Sequence, residues 1–544
     1  MKITILTMFP QLFEGFSSSP VLRRAQRNGE LEFSIVDVKD YADGSFRKID
    51  DSPYGGGPGM IMRVDTLHRA LEASASTSSH VVLLSPKGRR YDQSKAVEFS
   101  SMADIVLVCG HYEGVDARFE RYVDEQLSIG DFILTGGEPA AMAVVDSIAR
   151  LLDGSLRDGA VEDESFGMGC GGSLGGGSCG SGDGGLGGNS VGNGAVLLEY
   201  PQYTHPAMFN GDGVPPVLMS GDQRAISKWK MVQSIMETVR NRPDLLSKAI
   251  KTNTIGMSQA SIYTYEMPNA SDSMVLKVES ASPSALREYE ALKWLDGRLP
   301  VPKVLGHHVG PAHDGVGSAS SGSETSYILM SKVKGRMLCD VSILSNRRRL
   351  LKTAAAALET LWSVDTKDCP FGERPSADRP FDGCPLCGCL ERDLGLAASN
   401  VEKGIARLSA DGDCGCGHPS GVGTAKDLLA WLVDHRPALE ETDAVFSHGD
   451  LCLPNVFANC DGITGFIDLG HSGVVDKWRD IAICLRSIRD NLVGRYASGN
   501  AAALGRSGDP LPFGPFDDSE FFDVLGIEPD HEKLRYYTLL DELL

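Results

Sequence analysis

Three polar residues in two neighbouring motifs have the types and spacing of a site for phosphoryl transfer. Asp450 and Asn455 lie in SHGDLCLPN at 447–455, and Asp468 lies in GFIDLGHSG at 465–473. Transfer of a phosphoryl group from ATP needs a carboxylate that takes the proton of the attacking hydroxyl. It also needs oxygen ligands that hold Mg²⁺ against the phosphates. The pattern therefore predicts an ATP-dependent phosphotransferase site.

A second group of motifs, in the first half of the chain, is rich in glycine. Its members are PYGGGPGM at 53–60, LSPKGRR at 84–90, CGHYEGVD at 109–116 and SIGDFILTGGE at 128–138. Glycine lets the backbone approach another group closely because no side chain stands in the way. One such run is typical of an ordinary tight turn, whereas the ordered series of four indicates a ligand site.

The elements that must position these motifs differ along the chain. In the first half, apolar runs at 2–9, 31–38, 80–85 and 104–110 alternate with polar helical stretches. This alternation predicts an α/β fold with a largely parallel sheet. Residues 167–195 are more than half glycine, which predicts a flexible linker.

A helical block precedes the second half, which starts near residue 251 with a small sheet. Trp229, Met231, Ile235 and Val239 are spaced as on one face of a helix within 222–250. Strand-like segments follow at 252–266, 273–279 and 326–333, with an amphipathic helix at 285–295 between them, and the chain is mostly helical from 345 onward. This order predicts an α+β unit with a sheet first and helices after it.

The overall composition narrows the functional classes. The net charge of −21 argues against broad, non-specific RNA binding. The acidic second half would suit a polycationic substrate, and it would equally suit a protein that its charge merely keeps in solution. No stretch approaches the ~18 consecutive apolar residues of a membrane span, so we expect no membrane partner. The N-terminus MKITILTMFP resembles a buried strand more than a signal peptide. With these features we expect a cytoplasmic protein whose 13 cysteines are reduced.

Residues 1–250 resemble the bacterial tRNA (guanine-37-N1)-methyltransferase family, TrmD, in the four glycine-rich motifs, in LLEYPQYTHP at 197–206 and in VPPVLMSGDQRAISKWK at 214–230. The resemblance implies a SPOUT fold with a trefoil knot, a homodimer, tRNA as the substrate and S-adenosylmethionine bound in the knot. It implies that three loops hold this cofactor. Their residues here are Leu84, Ser85, Pro86, Gly110, Tyr112, Glu113, Gly114, Ile129, Gly130, Leu134 and Gly136.

The same resemblance implies a base and a cation for methyl transfer. Guanine N1 carries a proton at neutral pH, so a carboxylate must take that proton, and a cation can stabilise the charge that develops on O6. Asp163 and Glu164 lie where the family has its carboxylate, and the choice between them stays open. Arg150 matches the catalytic arginine of the family.

Residues 251–544 resemble aminoglycoside 3′-phosphotransferases, of the protein-kinase-like superfamily. The resemblance rests on the two loop motifs and on LDGRLPVPKVL at 295–305, YILMSKVKG at 327–335 and YYTLLDELL at 536–544. It implies a bilobal domain that uses ATP and Mg²⁺ to phosphorylate the 3′-hydroxyl of aminoglycosides, and so confers antibiotic resistance. By this match Asp450 is the catalytic base, and Asn455 and Asp468 are the magnesium ligands.

The remaining site residues of this half follow from the same resemblance. Lys277 would contact the ATP phosphates, with Glu288 positioning it, and Ser258 would lie in the loop over the phosphates. Backbone groups from Ser331 to Val333 would meet the adenine. The groups that would bind the amines of the substrate are Asp490, Asp541, Glu542 and the terminal carboxylate of Leu544.

These assignments divide the chain into four parts. Residues 1–166 are the methyltransferase domain, 167–195 the linker, 196–250 a small helical tRNA-binding subdomain and 251–544 the kinase-like domain. The kinase-like domain has an N-lobe at about 251–335 and a C-lobe at about 336–544. The chain is thus expected to be a fusion of two enzymes.

Departures from the two families keep alternatives open. The glycine-rich insertion, Ala117 and His205 favour a first half that is a dimerising tRNA-binding module with weakened catalysis. His471 and the poorly matching region 370–425 favour a kinase that acts on another small hydroxylated amine. That region also holds a candidate zinc site, comprising Cys384, Cys387, Cys389, Cys414, Cys416 and His418. Cys452, beside the proposed base, is expected to pack rather than to take part in chemistry.

Overall fold

The computed structural model of the chain describes residues 1–44, 47–157, 164–166, 196–248, 260–267, 272–311, 324–371, 389–406, 408, 418–437, 443–492 and 516–544. By their contacts, these residues form two compact units, one before and one after residues 167–195. The candidate base Asp163 and the candidate ATP-loop residue Ser258 lie outside the described residues. The same holds for Cys384, Cys387, Cys414 and Cys416 of the candidate zinc site.

The first unit is built on a five-stranded parallel sheet, as the alternating pattern predicts. Its strand order is β2–β1–β6–β5–β7, and every adjacent pair is parallel. The strands of the unit are β1 (Lys2–Thr7), β2 (Glu32–Asp37), β3 (Asp50–Asp51), β4 (Ile61–Met62), β5 (His80–Arg90), β6 (Asp104–Cys109) and β7 (Glu125–Ser128). Its helices are α1 (Glu14–Ser17), α2 (Pro20–Arg27), α3 (Val64–Ser74), α4 (Gln93–Ser100) and α5 (Glu138–Ala149), with 3₁₀ turns at Pro10–Phe13, Val38–Tyr41 and Ala117–Tyr122.

Both faces of this sheet are covered, which explains why its central strands are continuous apolar runs. Ile105 and Leu107 of β6 face one core, whereas Val106 and Val108 face the other. Such double burial is typical of parallel sheets with helices on both faces. The sequence pattern does not predict β7, because its residues EQLS form no apolar run.

The second unit contains a four-stranded antiparallel sheet in the order β10–β11–β13–β12, followed by a mainly helical part. Its strands are β8 (Met208–Phe209), β9 (Asp212–Gly213), β10 (Ser261–Tyr265), β11 (Met274–Ser280), β12 (Val304–Pro311), β13 (Glu324–Ser331), β14 (Arg336–Met337), β15 (Ala444–Ser447), β16 (Val456–Ala458), β17 (Ile463–Phe466) and β18 (Gly473–Asp476). The strands predicted at 273–279 and 326–333 are confirmed, and β12 is an addition that the sequence pattern does not predict.

The helices of the second unit enclose its largest hydrophobic core. They are α6 (Pro216–Met219), α7 (Gln223–Asn241), α8 (Pro283–Leu295), α9 (Val341–Leu344), α10 (Arg347–Trp362), α11 (Cys389–Glu402), α12 (Ala425–Asp434), α13 (Trp478–Leu492), α14 (Asp518–Leu525) and α15 (His531–Asp541). Short 3₁₀ turns lie at Pro243–Lys248 and Leu453–Asn455. Within the described ranges, no helix is both long and apolar enough to cross a membrane.

Helix α7 packs on the four-stranded sheet of the second unit. Ile235 and Met236 share one buried core with Leu276 of β11 and Leu329 of β13. At its N-terminal end, Arg224 forms an ion pair of 2.7 Å with Asp272, which precedes β11. Helix α7 and the four-stranded sheet therefore share one hydrophobic core, although α7 lies in the part of the sequence that resembles the methyltransferase family and the sheet lies in the part that resembles the kinase family.

We expect Ile235→Ala to destabilise the second unit by about 2–5 kcal/mol, because the substitution opens a cavity between α7 and the sheet. Ile235 is fully buried. All five tryptophans lie after residue 195, so urea unfolding followed by tryptophan fluorescence reports on this unit alone. Leu286→Ala, at a position 46% exposed on α8 of the same unit, is the control and should leave the transition unchanged. An unchanged midpoint for Ile235→Ala would show that the helix is not part of this core.

Candidate functional sites

The three loops expected to hold S-adenosylmethionine lie side by side in the first unit. Leu84 of β5 is in register with Cys109 of β6 and with Leu127 of β7. The first of these segments is not a loop in the structure, because β5 continues to Arg90 and Leu84, Ser85 and Pro86 lie within it. The pairing of β5 with β7 is interrupted between Leu84 and Arg89, and the segments that follow β6 and β7 leave the sheet beside this irregularity. The Gly137 N–H donates to the Gly110 carbonyl at 2.8 Å. The structure thus brings together the residues that the sequence placed at 84–86, 110–114 and 129–136.

The glycine-rich turn at 53–60 contacts the middle loop of this group. The Glu113 N–H donates to the Met60 carbonyl at 3.1 Å. Gly59 has a φ of +86°, and a side chain there would overlap the side chain of Glu113, so only glycine fits. Tyr112 has a left-handed φ of 58° and an exposed ring, which points the side chain away from the sheet.

Arg150 and Glu164 form an ion pair at the wall of a cavity of about 380 Å³. Arg150 lies directly after α5, and Gln93, Asp146 and Ser147 also line the cavity. The sequence reasoning singled out Arg150 and Glu164 but missed Asp146 and Ser147. These two lie about one helical turn before Arg150, and only the helix shows that they share its face. A cation and a carboxylate in one cavity can stabilise a developing negative charge and accept a proton.

In the second unit, buried hydrogen bonds hold the loop 447–455. Asp480 of α13 accepts the backbone N–H groups of His448 at 2.9 Å and Gly449 at 3.1 Å. The His448 ring contacts the Ile467 carbonyl at 2.9 Å. A side chain at Gly449 would overlap the His471 carbonyl, which explains the glycine. These contacts place Asp450 and Asp468 in neighbouring segments.

The Asp450 carboxylate is held by two side chains of its own loop. Asn455 Nδ2 donates to Asp450 Oδ2 at 3.2 Å and to the Asp450 carbonyl at 2.9 Å. The Cys452 thiol contacts Asp450 Oδ1 at 3.0 Å. The expectation that Cys452 only packs is therefore incomplete, because its sulfur contacts the proposed base.

Oxygen atoms suited to Mg²⁺ lie beside this carboxylate. Both hydrogen bonds of the Asn455 amide use its nitrogen, which leaves Oδ1 without a partner among the described residues. Asp468 supplies a carboxylate, and its φ of 61° is left-handed. Within the described ranges, no three His, Cys, Asp or Glu side chains gather into a metal site. The residues present thus fit a Mg²⁺ that takes its other ligands from phosphates and water.

The buried Lys277 of β11 contacts three carboxylates, of which Glu288 is also buried and Glu279 and Asp468 are partly exposed. Its Nζ is 2.6 Å from Glu288 of α8, 2.8 Å from Asp468 and 3.4 Å from Glu279. Burial alone would lower the pKa of Lys277, but these carboxylates raise it well above its usual range. Burial raises the pKa of Glu288 to about 7, although Lys277 opposes that rise. The structure joins the predicted pair Lys277 and Glu288 and adds Glu279, which the sequence reasoning missed.

The segment expected to meet adenine follows the end of β13. The Ser331 N–H already donates to the Lys303 carbonyl at 2.9 Å, and the Ser331 hydroxyl accepts the Lys303 N–H at 2.8 Å. The Val333 N–H has no partner among the described residues. Of the N–H groups at these two positions, the one at Val333 is open to a ligand.

The C-terminal acids expected to bind amines already contact basic or polar groups of the chain. Asp541 pairs with Arg486 of α13. Glu542 is 3.1 Å from the His418 ring, and the Asn400 amide donates to the Leu544 carbonyl at 3.1 Å. The sequence reasoning missed Arg486, because only the packing of α15 on α13 brings it to the C-terminus. Asp490 is buried within α13.

Comparisons with known proteins match each unit to a different family. The family model for the tRNA (guanine-1)-methyltransferase TrmD matches residues 1–248, and the model for the phosphotransferase enzyme family matches residues 258–516. The tRNA (guanine-N(1)-)-methyltransferase of Metamycoplasma arthritidis is 41% identical over 248 residues, which is 46% of this chain and 96% of that protein. The enzyme of the same name from Geobacillus kaustophilus is 40% identical over 252 residues, which is 46% of this chain and 92% of that protein.

We expect the buried Asp541 to make the stability of the second unit depend on pH. Burial raises the pKa of Asp541 to about 6, against the lowering effect of Arg486. Its usual value of 3.8 applies to the unfolded chain. The folded state thus binds this proton more tightly than the unfolded chain does. Protonated Asp541 therefore contributes stability that is present below about pH 4 and is lost as the pH rises through 6. The total change is up to about 3 kcal/mol.

Urea unfolding followed by tryptophan fluorescence from pH 4.5 to 7.5 measures this effect. The free energy of unfolding of the wild type should fall with rising pH relative to that of Asp541→Asn. The exposed Asp434→Asn serves as the control and should run parallel to the wild type. Parallel curves for Asp541→Asn and the wild type would mean that Asp541 is ionised throughout this range.

Proposed function

The chain belongs through residues 1–248 to the tRNA (guanine-1)-methyltransferase family, and it carries a phosphotransferase-family domain after it; from this premise we propose that it is a bifunctional transferase. The first unit methylates N1 of guanosine 37 in tRNA, and the second phosphorylates the 3′-hydroxyl of aminoglycosides. Both tRNA and ATP are cytoplasmic, so we assign the protein to the cytoplasm. The observation that carries the first activity is the Arg150–Glu164 pair in the cavity of the first unit.

S-adenosylmethionine, when bound at the edge formed by the three loops, supplies the methyl group. The Glu164 carboxylate takes the proton from guanine N1, so that the ring nitrogen can form its bond to the methyl carbon. Arg150 stabilises the negative charge that builds up on O6 as this proton leaves. The ion pair between Arg150 and Glu164 must open to admit the guanine ring, and the cavity beside the pair provides room for it. Asp163 is the alternative base.

The remaining family features are part of the same proposal. The close approach that Gly137 makes to Cys109 supports a chain that passes tightly behind the sheet edge, as a trefoil knot requires. The exposed side chains of Phe132, Ile133 and Leu134 support a homodimer that covers this loop. We propose the same domain boundaries as the sequence predicts. Residues 1–166 form the methyltransferase domain, 167–195 the linker, 196–250 the tRNA-binding subdomain and 251–544 the kinase-like domain.

Transfer of radiolabelled methyl groups to a tRNA transcript tests the first activity. We expect transfer to a transcript with guanosine 37 and none to one with adenosine there. Glu164→Gln should lower kcat by about 10²–10⁴-fold, because a general base contributes that much, while calorimetry shows that S-adenosylmethionine still binds. Glu98→Gln, whose side chain is half exposed on α4, is the control and should keep full activity.

Two outcomes of this experiment would change the proposal. If wild-type protein binds S-adenosylmethionine and tRNA without methyl transfer, the first unit is a tRNA-binding module. If transfer occurs and Glu164→Gln keeps it, Glu164 is not the base. Asp163→Asn should then be inactive.

The second activity follows from the groups gathered around Asp450 and Lys277. Asp450 accepts the proton of the attacking hydroxyl, and Lys277, held by Glu288, binds the phosphates of ATP. Asn455 and Asp468 would hold Mg²⁺, which supplies positive charge against the phosphates. The acids Asp541 and Glu542, near the C-terminus, suit a substrate that carries amines. The contacts of the buried Lys277 with three carboxylates are the observation that carries this activity.

ATP consumption in the presence of kanamycin tests the second activity. We expect drug-dependent turnover that falls by about 10²–10⁴-fold in Asp450→Asn, since the substitution removes the base. Asp461→Asn, at an exposed turn between β16 and β17, is the matched control and should retain turnover. An aminoglycoside without a 3′-hydroxyl should give none. If no 3′-hydroxyl aminoglycoside supports turnover, the aminoglycoside assignment is wrong, and a panel of other hydroxylated amines identifies the substrate class.

A further inference from the structure

Cys452 lies at the centre of a chain of contacts that runs from the proposed base to the C-terminal helix. Its Sγ is 3.0 Å from Asp450 Oδ1 and 3.7 Å from Arg486 Nη2. Arg486 in turn pairs with Asp541 of α15. An ionised carboxylate only accepts hydrogen bonds, so the thiol must be the donor to Asp450.

The backbone holds this thiol in place. The Cys452 N–H donates to the Asp450 carbonyl at 2.8 Å, and the Cys452 carbonyl accepts the Asn455 N–H at 2.9 Å. The two neighbouring leucines, Leu451 and Leu453, are each 1% exposed and anchor the loop in the core. The side chain of residue 452 is therefore directed at Asp450 by contacts that do not depend on its own chemistry.

The thiol keeps its proton in this position. Burial raises the pKa of Cys452 well above its usual range, and the nearby Asp450 carboxylate raises it further. A thiol that stays protonated remains a hydrogen-bond donor at neutral pH and is a poor nucleophile. This chemistry suits a residue that orients another group and does not suit one that reacts itself.

The two oxygens of Asp450 thus have different donors. Oδ1 contacts the Cys452 thiol, and Oδ2 accepts the Asn455 amide. Two donors on opposite oxygens fix the rotation of the carboxylate plane. Each oxygen still has a lone pair for the substrate hydroxyl, because a carboxylate offers about four acceptor positions.

We propose that Cys452 is a positioning residue for the Asp450 base: its S–H holds Oδ1 so that the carboxylate faces the substrate hydroxyl. The proposal rests on the phosphotransferase function proposed above. It extends that function to a residue whose side chain takes no part in the phosphoryl transfer itself. The thiol also joins the base to Arg486, and so to the C-terminal acids proposed to bind the substrate.

The test compares Cys452→Ala, Cys452→Ser and Cys460→Ala in kanamycin-dependent ATP turnover. Cys452→Ala should lower kcat by about ten- to a hundredfold, as expected when a hydrogen bond to a charged group is lost, with KM for both substrates changed less than threefold. Cys452→Ser should recover most of kcat because its hydroxyl donates to the same oxygen. Cys460→Ala, at an exposed cysteine in the turn after β16, should match the wild type.

The comparison of alanine with serine separates positioning from packing. Both substitutions remove the sulfur, but only serine keeps a donor to Asp450 Oδ1. An alanine variant with wild-type kcat would overturn the proposal. A serine variant as slow as the alanine variant would also overturn it.

If the wild type shows no turnover with kanamycin, infrared spectroscopy of the S–H stretch still tests the contact between Cys452 and Asp450. Subtracting the spectrum of Cys452→Ser from that of the wild type isolates the band of this thiol. Asp450→Asn should move the band to higher frequency, because the S–H would lose its ionised acceptor. A band that does not move would overturn the contact, whereas a moved band without kanamycin turnover would leave the contact in place and reject the aminoglycoside substrate.

Discussion

The buried ammonium of Lys277 is the interaction on which the proposed phosphotransferase site depends. It joins β11 of the sheet, α8 through Glu288 and the segment after β17 through Asp468. Removing one partner of a buried ion pair leaves an uncompensated charge and costs about 3–5 kcal/mol. Loss of Lys277 would therefore disturb all three elements together. The loop of Asp450 belongs to the same assembly, because the Ile467 N–H, next to Asp468, donates to the Asn455 carbonyl at 3.0 Å.

The candidate ligand site of the first unit is built differently from the proposed site around Lys277. This candidate ligand site lies where β6 and β7 end, beside the irregularity of β5 after Leu84 in the parallel sheet. Glycine is needed at Gly137 because the backbone there lies against the backbone of Cys109 and Gly110, and at Gly59 because its φ of +86° disfavours any side chain. The ionisable groups proposed for this unit, Arg150 and Glu164, line a cavity beside α5. The proposed site of the second unit, by contrast, is centred on the charged side chains around Lys277.

Helix α7 connects the two families within one chain. The methyltransferase family model ends at residue 248, yet the apolar face of this helix packs on the sheet that carries Lys277. A cut at the family boundary would leave that face of the sheet exposed to water, at a cost set by the apolar area uncovered. The fusion is therefore more than two domains joined by a linker, because the second unit requires residues that the first family supplies.

The sequence by itself determined the features that arise within one short segment, namely the strands and the spacing of polar residues in the motifs. The alternation of apolar runs predicted four strands of the parallel sheet, and the motifs at 447–455 and 465–473 identified Asp450, Asn455 and Asp468 from their spacing. These features could be read because periodicity and motif spacing follow from the geometry of one segment. The resemblances to two families also came from the sequence, and the comparisons match the first half to the tRNA (guanine-1)-methyltransferase family and the second to the phosphotransferase enzyme family.

Only the tertiary structure decided which distant side chains meet. Arg486 reaches Asp541, Glu279 joins the group around Lys277, and α7 covers the sheet of the second unit, and none of these contacts follows from spacing along the chain. The weakly apolar β7 was missed because its place in the sheet comes from pairing with β5 rather than from its own composition. Cys452 was expected to pack, since a cysteine in a sequence does not show which atom its sulfur faces. The contacts that set charge and orientation at these sites join residues far apart in the chain, so they exist only once the chain has folded.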